Sequence, residues 1–250
     1  GKRPIVEALR THVPMKCILM ADNVQRDSLI NDILRKAKKY DVPVKSISRK
    51  KLDEISERGS HQGVMAETKP FDYVNVTTIL EAAEKSAAEH DGRALIVVLD
   101  HLTDAGNLGA IARSAESVGA CGIIIPNKRA AHVTAATYKS SAGAIAHIPV
   151  SQVANISTCL DRLKKEGFWV AAATEHAQEY VWDANLKGRI VLVMGNEGEG
   201  VSRLVLESCD FGVKLPQVGD ISSLNVAQAS TACMYEWLRQ NRTAAEGLRG

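Results

Sequence analysis

From Ala94 onward the chain repeats one device: a short apolar run with no polar alternation, then a longer stretch with helical spacing. The runs are ALIVVL at 94–99, GIIIP at 122–126, AIAHIPV at 144–150, FWVAAA at 168–173, IVLVM at 190–194 and FGVKL at 211–215. A strand with no polar side must have both faces covered. Segments with helical spacing, such as 107–118 and 155–166, supply the cover. Strands and helices that alternate in this way predict an α/β fold with a doubly wound parallel sheet. Such a sheet binds ligands beyond the carboxyl ends of its strands, so the loops after the apolar runs are where chemistry is expected.

The residues before this repeat read as a smaller α/β unit. A short helix over 3–10 is followed by a strand at 16–21 (KCILMA). A helix over 26–40 carries Leu29, Ile30, Ile33, Leu34 and Ala37, with Lys and Arg between them. A strand at 42–47 broken at Pro43, a short helix at 50–57 and a strand at 63–67 complete the unit. Residues 68–92 open on Pro70 and continue as an Ala-rich and Glu-rich helix, read as the connection. The expected division is 1–70, a linker at 71–92, and 93–250.

Charge is unevenly shared. Residues 1–70 hold 15 Lys/Arg against 9 Asp/Glu, and the remainder holds 16 against 20. A basic first section beside a mildly acidic body suggests a module that meets a polyanion. The five cysteines are scattered, with no CxxC pair, which argues against a zinc site or a disulfide framework. They read as reduced thiols of a cytoplasmic protein. No apolar run approaches the roughly 20 residues of a membrane span, and the charged first ten residues lack a signal-peptide core.

Three loops stand out. The first, DHLTDAGNLGAIAR at 100–113, follows a strand directly. Asn107 is expected to cap the next helix, Gly106 and Gly109 would let backbone approach a ligand, and Arg113 is suited to holding a phosphate with its planar fork. Alone, this loop reads as a plain capped helix with a surface arginine. The second, GNEGEGVS at 195–202, is neither a GxGxxG fingerprint nor a phosphate loop, so nicotinamide and nucleoside-triphosphate chemistry are poorly supported. It reads either as a glycine wall against a cofactor, with Glu197 inside it, or as a tight turn. The third, KLPQVGDISSLNVAQA at 214–229, has Ser222, Ser223 and Asn225 opening a long apolar helix that ends near Gln240. Asn225 is placed inside the first turn. No histidine or carboxylate pair is placed as an obvious base; His101 and His176 read as loop residues.

In order and spacing, these three segments resemble the three signature motifs of the SpoU (TrmH) family of RNA ribose 2′-O-methyltransferases. The resemblance covers residues 93–240, and GKRPIVEALR and SHQGVMAE look like the opening and closing of the family's N-terminal RNA-binding domain, which is similar to a small ribosomal-protein fold. Among subfamilies the chain looks closest to bacterial enzymes that methylate a guanosine ribose of 23S ribosomal RNA. The resemblance implies a deep trefoil knot near the C-terminus and S-adenosylmethionine as cofactor, with no metal. By motif it implies catalytic roles for Asn107, Arg113, Glu197, Ser223 and Asn225. It also implies cofactor contacts from Met194, Gly195, Leu215, Val218, Ser223 and Leu224, and a homodimer formed through the knotted domain. Ala227 stands where the family commonly has Ser, a detail of helix packing. Arg113 is then either a proton acceptor or a group that fixes phosphate and hydroxyl; arginine rarely gives up its proton. A transfer-RNA methylase and a catalytically silent RNA-binding protein are the alternatives.

Overall fold

The computed structural model describes residues 1–56, 61–196, 198–220 and 223–242. The first unit runs α1 (Lys2–Arg10), β1 (Met15–Ala21), α2 (Ser28–Lys39), β2 (Val44–Ile47), α3 (Arg49–Ile55) and β3 (Val64–Thr68). β1 is the central strand, parallel to β2 and antiparallel to β3. α2 starts where the Asp27 carboxylate accepts a hydrogen bond from the Ile30 amide. It buries Ile30, Ile33 and Ala37 and turns Lys38 and Lys39 to solvent.

α4 (Val76–Glu89) follows, within the stretch that the sequence marks as a connection. It is a packed element: Val76, Ile79, Leu80 and Ala83 share a core with Ile96, Val98 and Ile124. The second unit continues with β4 (Ala94–Leu99), α5 (Ala105–Ser117), β5 (Gly122–Pro126), α6 (Ala135–Ser140), β6 (Val150–Val153), α7 (Ile156–Lys165), β7 (Trp169–Ala173), β8 (Glu179–Tyr180), β9 (Arg189–Met194), α8 (Arg203–Glu207), β10 (Phe211–Lys214) and α9 (Val226–Asn241). These strands form one seven-stranded sheet in the order β6-β5-β4-β9-β7-β10-β8. Every pairing in it is parallel.

Every residue of β4 and β5 is buried, as strands without polar alternation require. One face, through Leu95, Val97 and Leu99, packs on Leu108, Ile111 and Ala115 of α5 and on Met234 and Trp237 of α9. The opposite face packs on α4 and on Ile156, Leu160 and Leu163 of α7. The first of these cores runs on without a break into Ile5, Leu9, Ile30 and Ile33 of the small unit. At the junction Gly143, with φ +94°, lies so close to Thr11 that a Cβ would stand 3.2 Å from the Thr11 carbonyl oxygen.

Several sequence expectations are corrected. The run at 144–150 is not a strand: Ala144–Ala146 form a 3-10 turn after Gly143, and the strand begins only at Val150. Ile145 and Ile148 are buried all the same, so an apolar run reports burial and not strand geometry. Asn107 does not cap α5. Asp104, three residues earlier, accepts from the Asn107 amide at 2.7 Å. Asn225 is not inside the first turn of α9; it is the cap, accepting from the Ala227 amide at 2.9 Å. Gly109 is not an opening toward a ligand: a Cβ there would overlap Ser140 and the Thr137 carbonyl of α6, so the glycine serves helix packing.

Candidate active site

The carboxyl ends of β7, β9 and β10 surround a cavity of about 750 Å³. Its walls come from 173–176 after β7, from 194–196 and 198–201 after β9, and from 214–217 after β10. Ser223, Leu224 and the first turns of α9 close it. The loop after β9 folds back on itself. The Asn196 amide donates to Gly200 O at 3.0 Å, and the Gly200 amide donates to Asn196 O at 3.1 Å. The Asn196 side chain accepts from the amides of Gly198 and Glu199. A Cβ at Gly195 would overlap the backbone of Gly200 and Val201, so only glycine permits this closure. Main chain therefore forms much of that wall.

Of the residues singled out by sequence for the cofactor, Met194, Gly195, Leu215, Ser223 and Leu224 line the cavity. Val218 does not; it is wholly exposed in the loop beyond. Glu197 lies outside the described residues. Asn107 and Asn225 meet across 118 positions of sequence, with Asn225 Nδ2 donating to Asn107 Oδ1 at 3.2 Å. This contact ties the start of α5 to the start of α9. Farther along the two helices, the Ser114 and Thr231 hydroxyls lie 2.7 Å apart. Arg113 is exposed on α5. On a helix it stands about 120° around the axis from Asn107, on the arc that faces solvent and not α9.

Sequence reasoning missed one constellation. Asp100, at the end of β4, is 1% exposed. Its Oδ2 accepts from the Ser202 amide at 2.7 Å, and its Oδ1 lies 2.6 Å from His101 Nδ1. The buried carboxylate thus clamps the segment after the glycine loop to the end of the neighbouring strand. An Asp directly after an apolar run was the available signal. Cys233, on the cavity wall, is no nucleophile: burial pushes its thiol up to about 12, leaving essentially no thiolate at neutral pH. Among the described residues no group of three or more His, Cys, Asp or Glu side chains gathers as a metal site.

Comparison with known proteins matches both units. The model of the SpoU rRNA methylase family matches residues 94–235, and the model for RNA 2′-O ribose methyltransferase substrate binding matches residues 1–74. A Bacillus subtilis protein named for the TrmH family of tRNA/rRNA methyltransferases is 37% identical over 246 residues, covering 98% of this chain and 96% of that one. A Staphylococcus aureus relative of the same name is 37% identical over 249 residues, covering 98% and 97%. The crystal structure of the SpoU methyltransferase AviRb from Streptomyces viridochromogenes, in complex with AdoMet, is similar with a TM-score of 0.70 at 27% identity. It covers 96% of this chain and 88% of that chain. A TrmH/SpoU tRNA-modifying enzyme from A. aeolicus is similar over 65% of this chain and 84% of that one, with a TM-score of 0.54 at 27% identity.

Proposed function

The chain belongs to the SpoU (TrmH) family of S-adenosylmethionine-dependent RNA methyltransferases, and we propose that it methylates a ribose 2′-hydroxyl of a guanosine in 23S ribosomal RNA. The observation that carries this reading is the strand-end cavity beside the Asn107–Asn225 contact.

The residues present fit the cofactor. A volume of about 750 Å³ is ample for a molecule of its size. Val213, Leu215, Val226 and Ala229 offer an apolar surface to a flat base. Glu175 and Glu199 offer carboxylates to a ligand with two positive centres, and the Gly195 loop offers main chain. When bound, S-adenosylmethionine would supply a methyl group on a positively charged sulfur: as the ribose oxygen–methyl bond forms, the sulfur–methyl bond breaks to leave S-adenosylhomocysteine and the hydroxyl proton passes to solvent water, with no metal required.

The protein's own residues then have three tasks. Met194, Gly195, Leu215, Ser223 and Leu224 hold the cofactor; Val218, in the exposed loop, is assigned no contact in this proposal. Asn107 and Asn225 fix the mutual position of the two helices over the cavity. Arg113 holds a phosphate of the RNA and brings the 2′-hydroxyl into line, which can lower a barrier by several kcal/mol without transferring a proton. Glu197, Ser223 and Asn225 are assigned to the same site by motif.

The small unit, 1–70, is assigned to RNA capture, with 93–250 as the catalytic unit and 71–92 joining them. Its presence favours ribosomal RNA over transfer RNA, because the tRNA-modifying structure from A. aeolicus is similar over 65% of this chain. A trefoil knot is proposed for the catalytic unit, supported by β9 lying between β4 and β7 while α9 returns against α5. A homodimer through this unit, in the cytoplasm, completes the reading. The decisive experiment maps 2′-O-methylation in total bacterial RNA with and without the protein. A new methyl on a 23S guanosine is expected. Methylation confined to transfer RNA would replace the substrate, and methylation of a base would overturn the reading.

A further inference from the structure

The opposite half of the same sheet edge carries a second recess, of about 330 Å³, beyond the ends of β4, β5 and β6. Its polar lining includes Lys128, Arg129, His101, Asn155, Ser157 and Ser202. Among the described residues no Asp or Glu lines it. Among the described residues neither Lys128 nor Arg129 takes part in an ion pair, so both charges are available. The recess also sits at the start of α7, a ten-residue helix whose first amides add a positive end.

One feature above all separates this recess from a solvated basic surface. His101 is held from behind: its Nδ1 faces the buried Asp100 carboxylate at 2.6 Å, which leaves Nε2 as the polar atom for an incoming group. Protonated, that nitrogen donates to an anion; neutral, it accepts from a ribose hydroxyl.

The position matters as much as the chemistry. Val201 and Leu206 line the larger cavity, while Ser202, Leu204 and Val205 line the recess. A single short segment therefore separates the two, and Asp100 anchors it through the Ser202 amide.

We propose that this recess binds a backbone phosphate of the RNA strand, next to the nucleotide whose ribose enters the larger cavity. The proposal rests on the methyltransferase reading for what lies in the larger cavity, but not for its own charge and geometry. Lys128 and Arg129 supply the cations, His101 Nε2 the directional contact, and the Asp100–Ser202 tie keeps the two sites in register.

The test uses the full chain with a 12-nucleotide mixed-sequence RNA. In K128A/R129A, RNA affinity at about 0.1 M salt is expected to fall roughly 10- to 30-fold, and the log–log salt slope to become shallower by about 1.4. Affinity for S-adenosylhomocysteine should be unchanged. Lys165→Ala, an exposed lysine at the far end of α7, should leave RNA affinity within twofold. In protein with 15N-labelled histidine, the RNA should shift the His101 Nε2 signal saturably, and His101→Gln removes that signal and assigns it. Equal RNA affinity and slope in the double variant overturns the proposal. A His101 signal moved by inorganic phosphate or guanosine monophosphate but not by RNA also overturns it, in favour of a free-anion site. Methyl transfer to total RNA is measured alongside. A wild-type protein that transfers no methyl group but shows both RNA effects would sink the methyltransferase reading alone. A K128A/R129A protein with wild-type KM for RNA would sink the recess alone.

Discussion

The two sheets treat their side chains in opposite ways. In the small unit β2 is an edge strand whose Val44, Lys45 and Ser46 are all exposed, followed by the exposed Arg49, Lys50 and Lys51 on α3. In the large unit β4 and β5 expose nothing along their length. A small sheet with an open edge presents a surface, and that surface can carry charge. A sheet covered on both faces can meet a ligand only at its strand ends, where the chain has to turn. The proposed division, with most of the polyanion capture on the small unit and the positioning of reacting atoms in the large one, follows this difference. A continuous apolar cluster from Ile5 to Trp237 joins the two regions.

Four experiments test how far that division holds. The largest effect is expected at Arg113, on the large unit. Arg113→Ala should lower turnover about a hundredfold or more, while melting temperature and cofactor affinity hardly change. Its side chain is exposed, and loss of a purely structural surface charge costs about half a kcal/mol at most. Arg113→Lys keeps the charge but loses the fork. Near-full activity in the lysine variant would show that attraction suffices without the geometry.

Gly195→Ala comes next. The new Cβ must displace the Gly200 backbone, so the wall after β9 opens. We expect cofactor affinity to fall at least about tenfold, since displaced main chain no longer meets the ligand, with an overpacking cost of about 1–3 kcal/mol in stability. Calorimetric titration with S-adenosylhomocysteine decides it; unchanged affinity would remove the Gly195 loop from the cofactor site.

On the small unit, replacing Arg49, Lys50 and Lys51 together by Gln should weaken RNA binding and flatten its salt dependence by up to about 2 in the log–log slope. Cofactor binding should be untouched. This variant is preferable to deleting 1–70, which would uncover the shared core. A fall in cofactor affinity would break the separation of the two regions.

The smallest effect separates cap from site. Asp104→Ala should destabilise α5 by about 1 kcal/mol, as loss of an N-cap does. Asn107→Ala leaves that cap in place but breaks the contact to Asn225. It should impair turnover more than it lowers the melting temperature. Equal thermal losses in both variants would return Asn107 to a purely structural role.

Several parts of this architecture were legible in the residues. The unalternated runs at 94–99, 122–126 and 190–194 marked strands buried on both faces, because burial selects residue type directly. The strand-end glycines at 195 and 200 were visible for the same kind of reason: a loop that doubles back on its own main chain leaves no room for a Cβ at Gly195 and needs a positive φ, +69°, at Gly200. The helical spacing of Ile30, Ile33 and Ala37 gave α2 its inward face.

Other features were settled by contacts between distant segments. AIAHIPV at 144–150 is as apolar as a strand, yet Gly143 packs against Thr11, 132 positions away, and its positive φ starts a turn. Asp104 and Asn107 are both good caps by type, and which one caps depends on where the chain leaves β4. Once Asp104 takes the cap, the Asn107 side chain is released to meet Asn225. The Asp100–His101–Ser202 cluster joins neighbours in space that lie about a hundred positions apart in sequence. Residue type and spacing record the local demands of burial and backbone freedom. They do not record which strand end comes to rest beside which, because that is set by the order of the strands in the sheet.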